Sequence, residues 1–145
     1  MAQKITLSVA SKEQVTDKVY FVTFTLVSPP SIDFRAGQNM MLMVAPGVNR
    51  TMSIASPPSE AQSLLMVHDV SPMGPGSKWT LGLRVGDTAT IVAPTGGVLS
   101  FVESPRKKVM IATGTGIAPF RSMILDYFNR DGQAKIELYW GQRFE

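Results

Sequence analysis

Short runs in which apolar and polar residues alternate fill roughly the first hundred positions of the chain. In residues 5–10 and 19–26 every second side chain is apolar, which predicts strands with one buried face. The run 39–45 is almost wholly apolar and predicts a strand that is covered on both faces. Further strands are expected at residues 51–55, 64–70 and 88–92.

Pairs rich in proline and glycine separate these runs and predict turns, at residues 29–30, 46–47, 57–58, 86–87 and 96–97. One short helix is expected at residues 77–83, directly after a glycine-rich segment. Many short strands joined by such turns predict a mainly β domain, either a small antiparallel barrel or a sandwich.

The pattern changes after Ser104 and Pro105. Three elements are expected there, a compact apolar strand, a helix that follows a glycine turn, and a second strand, at residues 107–112, 118–129 and 136–140. This order is typical of a βαβ unit in a parallel sheet, and one helix covers only one face of such a sheet. We therefore divide the chain into a barrel domain, residues 1–103, and a truncated α/β fragment, residues 104–145.

The composition removes several classes of function. The chain has no cysteine, so it forms no disulfide, holds no thiolate-bound metal or iron–sulfur cluster, and has no cysteine nucleophile. Its one histidine, His68, leaves no multi-histidine metal site, and no metal is expected. The net charge of +3, with no basic run longer than residues 106–108, argues against nucleic acid as a partner.

Targeting signals are also missing from the sequence. No apolar run approaches the roughly 20 residues that a membrane-spanning helix needs. The first residues contain no apolar signal core and no small-residue cleavage site. We therefore expect no membrane span and a cytoplasmic location.

Arg50 and Ser53 lie in the first of three segments whose residue types suit a phosphorylated ring compound. The planar guanidinium of Arg50 offers paired donors to a phosphate, and the hydroxyl of Ser53 suits a ring nitrogen. Strand alternation places Arg50 and Met52 on one side of a strand, with Thr51 and Ser53 on the other. Taken alone, an exposed arginine at the start of a strand is the more common explanation.

Residues 74–77 (Gly-Pro-Gly-Ser) form the second segment and open the expected short helix. Backbone N–H groups at a helix start bind anions, and Ser77 is expected to cap that start, so the segment suits a pyrophosphate. A plain turn with a serine cap explains the same residues.

Residues 114–119 (Gly-Thr-Gly-Ile-Ala-Pro) form the third segment, between an apolar strand and a helix. In this place a nucleotide pyrophosphate meets the helix start, and Pro119 fits the first helical turn. The full fingerprint of three spaced glycines is absent, so a simple strand-to-helix turn remains an alternative.

Six segments, in this order, resemble motifs of the ferredoxin–NADP reductase superfamily, and the resemblance covers essentially the whole chain. They are residues 34–38 (F-x-x-G-Q), 50–53 (R-x-Y-S), 74–77 (G-x-x-S), 85–87 (V-G-D), 94–97 (G-P-x-G) and 114–119 (G-T-G-I-A-P). The resemblance implies a six-stranded antiparallel Greek-key barrel that binds FAD, with FMN as the alternative, followed by the start of a domain that binds NAD(P)H. It further implies an oxidoreductase that passes electrons between NAD(P)H, the flavin and an acceptor, which is a protein or a small molecule.

The same resemblance implies roles for single residues. Arg50 binds a flavin phosphate, Ser53 hydrogen-bonds flavin N5 as the catalytic residue, and Met52 replaces the aromatic that stacks on the ring. The rest of the flavin-binding set is Met66, Val67, His68, Gly74, Gly76, Ser77 and Thr115. The set that binds the nicotinamide nucleotide is Thr113, Gly114, Thr115 and Gly116. A histidine on a strand is more often structural than catalytic, which leaves a second explanation for His68.

The resemblance stops short of the family's full length. The chain ends at residue 145, where the family's second nicotinamide-domain strand finishes. We therefore expect these residues alone to be an incomplete catalyst of hydride transfer. One alternative is a non-catalytic flavin-binding electron-transfer module that is completed by a partner chain or by forming a homodimer. Another is a portion of a longer enzyme.

Overall fold

A computed structural model describes residues 1–142, and in this range the chain forms strands, two α-helices and a 3₁₀ turn. The strands are β1 Gln3–Gln14, β2 Val19–Ser28, β3 Asn39–Ala45, β4 Val48–Ser53, β5 Ser63–Asp69, β6 Thr88–Thr95, β7 Lys108–Thr113 and β8 Ile136–Gly141. The helices are α1 Pro75–Gly82 and α2 Ala118–Asn129, and the 3₁₀ turn is Gly114–Ile117.

Six of the strands form one antiparallel sheet in the order β4-β3-β6-β1-β2-β5. Register shifts in the β1–β2 ladder, after Thr6 and after Val9, mark bulges that bend the strands and help the sheet to curl. The sheet is a half-barrel, because its edge strands β4 and β5 share no ladder. Just beyond β4, the N–H of Ala55 donates to the carbonyl of Leu65 on β5 at 2.9 Å. The mainly β, six-stranded antiparallel fold is therefore confirmed.

Alternate residues of each strand fill the inside of the half-barrel, as the sequence pattern predicts. On β1 the side chains of Ile5, Leu7 and Val9 are at most 1% exposed. Full burial of a side chain of this size is worth about 1.5–3 kcal/mol. Phe24 of β2 is 0% exposed and lies 6.4 Å, centroid to centroid, from the ring of Trp79 on α1. The helix thus closes one end of this core.

Two details of the strand predictions were wrong. The apolar run of β3 is covered on one face only, because Met40 and Leu42 are 0% exposed whereas Met43 is 40% exposed. The strand expected at 51–55 begins earlier, at Val48, and ends at Ser53. Ile54 then turns away from β3 and donates its N–H to the carbonyl of Gln38 at 3.1 Å.

The remaining strands, β7 and β8, pair in parallel and are joined by α2, so the predicted βαβ unit is confirmed. Helix α2 covers one face of the pair, where Met110 and Ala112 are both 6% exposed. On the other face Ile111 is 72% exposed. The domain boundary at residues 103 and 104 stays a prediction.

Neither helix of the described range, residues 1–142, is long and apolar enough to cross a lipid bilayer.

Candidate functional site

The two phosphate-binding motifs predicted from the sequence meet at the seam of the half-barrel. A Cβ atom on Gly76 would lie 3.2 Å from Cγ of Arg50 and 3.6 Å from Cε1 of His68. Arg50 is on edge strand β4 and His68 on edge strand β5, so the curl of the sheet brings them together. The start of α1 lies between them. Residues from three separate elements therefore share one place.

The guanidinium of Arg50 ends at the protein surface, beside the first turn of α1. Its stem packs against Gly76, and its Nη1 donates to the carbonyl of Asn49 at 2.7 Å. The other guanidinium donors face solvent or a ligand, since the residue is exposed. A planar fork of donors with a packed stem is suited to an oxyanion such as a phosphate.

Helix α1 offers unpaired backbone donors at the same place. Gly74 is its N-cap and Pro75 its first residue, and the first N–H to find a partner in the helix is that of Lys78, which donates to the carbonyl of Gly74 at 3.0 Å. The N–H groups of Gly76 and Ser77 are left for another acceptor. The prediction that Ser77 caps this helix is wrong, because Ser77 is the third helical residue and no side chain caps the start.

His68 links β5 to α1. Its Nδ1 lies 2.7 Å from Oγ1 of Thr80, and the ring is 9% exposed. Burial lowers the pKa of His68, and the charge of Asp69 opposes that change only in part. The ring is therefore neutral at physiological pH and has a structural contact, which agrees with the second explanation of this residue.

Lys12 of β1 holds the other end of α1. Its Nζ donates to the carbonyls of Leu81 and Leu83 at 2.6 and 3.1 Å, and it lies 5.3 Å from the centroid of the Tyr20 ring. Burial lowers the pKa of Lys12. A cation at a helix C-terminus stabilises the exposed carbonyl groups there. Sequence reasoning missed this residue, because strand alternation says nothing about a distant helix end.

The other residues of the predicted flavin set are placed differently from one another. Ser53 donates its hydroxyl to Oδ1 of Asn39 at 3.3 Å, and Met52 is half-buried against the barrel core. Met66 is 0% exposed within that core, and Val67 packs outside it against Ala118. The side chain of Met66 has no accessible surface, so only its backbone is available to a ligand. The predicted roles of these residues in binding a ring stay predictions.

The predicted nicotinamide residues lie at the carboxyl ends of the two parallel strands. Gly114 has a φ of +50°, in the left-handed region that favours glycine, and its carbonyl accepts a hydrogen bond from Nε1 of Trp140 at 2.9 Å. The 3₁₀ turn separates this glycine from α2, whereas the sequence predicted a direct entry into the helix. Pro119 lies in the first turn of α2, as predicted.

These residues border a cleft of about 1020 Å³ between the βαβ unit and the half-barrel. Its lining is Val15, Thr16, Asp17, Lys18, Val19, Asp69, Ser71, Thr113, Gly114, Thr115, Gly141 and Gln142. Arg50, His68 and Gly76 do not line it. The structure thus separates two places, the seam around Gly76 and the cleft beside Gly114, and we assign more weight to the seam for phosphate binding because its donors converge.

Comparison with known proteins follows this division. Residues 110–145 match the family described as the oxidoreductase NAD-binding domain. Component 2 of the reductase of terephthalate 1,2-dioxygenase from a Comamonas species is 30% identical over 97% of this chain and 42% of its own length. Ferredoxin–NADP reductase B of Sorangium cellulosum is 34% identical over 77% of this chain and 47% of its own length.

Among solved structures, the Amycolatopsis cytochrome P450 reductase GcoB matches 99% of this chain with a TM-score of 0.90 and 25% sequence identity. This chain belongs to the ferredoxin–NADP reductase superfamily. Phthalate dioxygenase reductase has the same fold, with a TM-score of 0.84 over 97% of this chain at 23% identity. The chain covers 44% of each of these two proteins, so it spans less than half of their length.

One further contact set in this member of the superfamily was not predicted. From α2, Nη1 of Arg121 donates to the carbonyl of Ala55 at 2.8 Å, and Oγ of Ser122 donates to the carbonyl of Ser56 at 2.7 Å. Ser56 and Ser122 are both 0% exposed. These bonds fix the βαβ unit to the segment that follows β4. The pattern of α2 gives no signal for them, because a polar residue on a helix is normally taken to face solvent.

Proposed function

We propose that this chain is the flavin-binding portion of an NAD(P)H-dependent oxidoreductase that transfers electrons between NAD(P)H, FAD and an acceptor. The observation that carries this proposal is the convergence of Arg50, Gly76 and the start of α1 at the barrel seam. A guanidinium and unpaired backbone N–H groups form a site for the pyrophosphate of a dinucleotide flavin. Burying His68 as a neutral ring beside them adds no charge that would compete for the anion.

The geometry at Gly76 supports a fit of this kind. A side chain at position 76 would press on the stem of Arg50 and on the ring of His68, so the approach of a ligand to the backbone depends on glycine here. At Gly74, by contrast, a Cβ atom would meet no other atom within 4 Å. We therefore assign the close backbone approach to Gly76, and give Gly74 the role of the helix N-cap.

The redox chemistry in this proposal belongs to the flavin, which accepts hydride when it is bound. Ser53 orients the ring by a hydrogen bond, for which its hydroxyl turns away from Asn39. Met52 packs on the ring with its polarizable thioether, in the place of an aromatic side chain. Thr113, Gly114, Thr115 and Gly116 bind the nicotinamide nucleotide at the ends of the parallel strands.

The names of the relatives support the class of acceptor. They include the reductase component of a dioxygenase and a reductase of a cytochrome P450. We propose that this chain likewise passes electrons to a separate acceptor protein, with a small-molecule acceptor as the alternative. A cytoplasmic location stays a prediction.

The proposal is tested by the absorbance spectrum of the purified protein, followed by titration with FAD and with FMN. We expect a yellow protein, or a colourless one that takes up FAD. Arg50→Gln should weaken FAD binding about tenfold or more, because it removes a charged partner of a phosphate. Arg106→Gln, which changes an exposed arginine in the linker before β7, should leave affinity unchanged. A protein that binds neither flavin would contradict the proposal.

A second candidate is a non-catalytic electron-transfer module that is completed by a partner chain or by a second copy. The observation in its favour is the uncovered face of the β7–β8 pair, where Val109, Ile111 and Tyr139 are 52%, 72% and 59% exposed. Apolar side chains grouped on one sheet face are usually covered by further polypeptide. Sedimentation equilibrium and NADH oxidation separate the two candidates. Fast turnover by the monomer would rule out the module.

A further inference from the structure

The cleft beside the glycine turn has a second wall that belongs to the half-barrel. One wall is built from the carboxyl ends of β7 and β8, with Gly114 at its centre. The opposite wall is the turn between β1 and β2, residues 15–19, together with Asp69 and Ser71 at the end of β5. The volume, about 1020 Å³, is at the upper end of the range for sites that hold a cofactor-sized ligand.

The β1–β2 turn is held in one conformation by its own hydrogen bonds. The N–H of Val15 donates to the carbonyl of Val19 at 2.8 Å, and Oγ1 of Thr16 accepts from the N–H groups of Lys18 and Val19 at 3.3 and 3.1 Å. The carbonyl of Lys18 in turn accepts from the N–H of Val70 at 2.8 Å. The wall is therefore pre-organised, and a ligand has little loop ordering to offset.

The charges on this wall are of both signs. Lys18 provides an ammonium, and Asp17 and Asp69 provide carboxylates that border the same space. The N–H of Ser71 donates to Oδ1 of Asp69 at 2.8 Å, and hydrogen bonding by Ser71 is the main reason why the pKa of Asp69 lies below its ordinary value. An ammonium beside ionised carboxylates suits a ligand that carries both phosphate and hydroxyl groups.

We infer that the β1–β2 turn is the second half of the nicotinamide-nucleotide site, with Lys18 in contact with a phosphate and Asp17 or Asp69 accepting from ribose hydroxyls. This inference rests on the proposed function and extends it, because it assigns part of the dinucleotide site to the flavin-binding barrel. The glycine turn meets the ligand from the βαβ side, where carboxyl ends of parallel strands are the usual place for nucleotides. The ligand thus bridges the two parts of the chain.

The experiment is isothermal titration of the full chain with ADP-ribose, which carries the pyrophosphate and both riboses but no nicotinamide. Lys18→Gln should weaken binding about fivefold, the size expected for one exposed charged contact, and Lys18→Arg should restore it. Lys4→Gln, an exposed lysine near the start of β1, is the matched control and should bind like the wild type. The effect of Lys18→Gln should shrink as salt is added.

Each outcome decides between the turn and its rivals. If Lys18→Gln binds ADP-ribose as well as Lys4→Gln does, the turn is no part of the site. If inorganic pyrophosphate binds as tightly as ADP-ribose, the contact between carboxylates and ribose is wrong. A chain that binds FAD but no ADP-ribose up to about 1 mM overturns this inference and leaves the flavin proposal intact. A chain that binds ADP-ribose through Lys18 but no flavin does the reverse.

Discussion

The half-barrel and the βαβ unit solve the same problem, the burial of apolar strand residues, to very different extents. In the half-barrel the inward side chains reach a shared core, and Phe24, Leu42 and Ile91 are all 0% exposed. In the βαβ unit only one face of a two-stranded sheet is covered, and Ile111 on the other face is 72% exposed. The first region has a core of its own, whereas the second has a small cluster around Met110 and Met123.

The difference shows where the βαβ unit obtains its order. Its helix is fixed to the half-barrel by the two hydrogen bonds from Arg121 and Ser122. Its small apolar cluster also includes Ala36, which comes from the loop before β3. The unit therefore depends on the half-barrel for part of its packing, and the seam and the cleft both lie along elements that this docking holds in place.

The largest expected effect comes from the barrel core. Phe24→Ala should lower the free energy of unfolding by about 3–5 kcal/mol, because it leaves a cavity among fully buried side chains. Ile111→Ala, on the open face of β7, should change it by about 0.5 kcal/mol or less. Urea unfolding of both variants measures the contrast. Equal losses would mean that the exposed face of β7 is covered in solution.

The next effect is expected at the junction of the two regions. Gly37 has a φ of +94°, and a Cβ there would overlap the terminal methyl of Met123 and the carbonyl of Leu99. Gly37→Ala should therefore cost about 2–3 kcal/mol, for the strained backbone and the displaced helix together.

Gly47 is the matched control for that change. It has a similar φ of +71°, but nothing lies within 4 Å of a Cβ at this position. Gly47→Ala should cost only about 1 kcal/mol, the backbone part of the effect. Thermal unfolding compares the two, and similar losses would show that α2 does not pack on Gly37 in solution.

These two regions also differ in how far the sequence predicts them. Alternation along β1 and β2, and the switch to a strand–helix–strand pattern after Pro105, were enough to predict all eight strands and both helices of the described range, residues 1–142. Periodicity carries that information because each element buries one face. It did not predict the one-sided cover of β3, since Met41 and Met43 are apolar but face away from the core.

The candidate site was predictable in part. The motif at 50–53 and the motif at 74–77 were recognised from residue types, and the structure brings Arg50 and Gly76 together. The contacts of Lys12 and Ser122 were not predicted, because each joins segments that are far apart along the chain, 69 and 66 positions respectively. Such pairings follow from the curl of the sheet and the docking of α2, which no local pattern records.

A smaller effect is expected for the docking of α2. Ser122→Ala removes the bond to the carbonyl of Ser56 and leaves that carbonyl buried without this donor, which should cost about 1–2 kcal/mol. Ser100→Ala, at an exposed position in the linker, is the control and should be neutral. Hydrogen exchange should also become faster in α2 than in β2. Uniform acceleration in both would show that the two regions unfold as one unit.

The smallest effect concerns pH and belongs to the half-barrel alone, because His68 is the only histidine of the chain. Burial lowers its pKa in the folded state, so below the ordinary histidine value the unfolded chain binds more protons than the folded one. Stability should therefore fall as the pH drops through about 6.5 and level off below the lowered folded value. His68→Gln should flatten this part of the profile, while the carboxylate-dependent loss at lower pH remains. Urea unfolding between about pH 5 and 8 measures both curves. A profile that keeps its slope after the substitution would place the titrating group elsewhere and leave the contact with Thr80 without a role in acid stability.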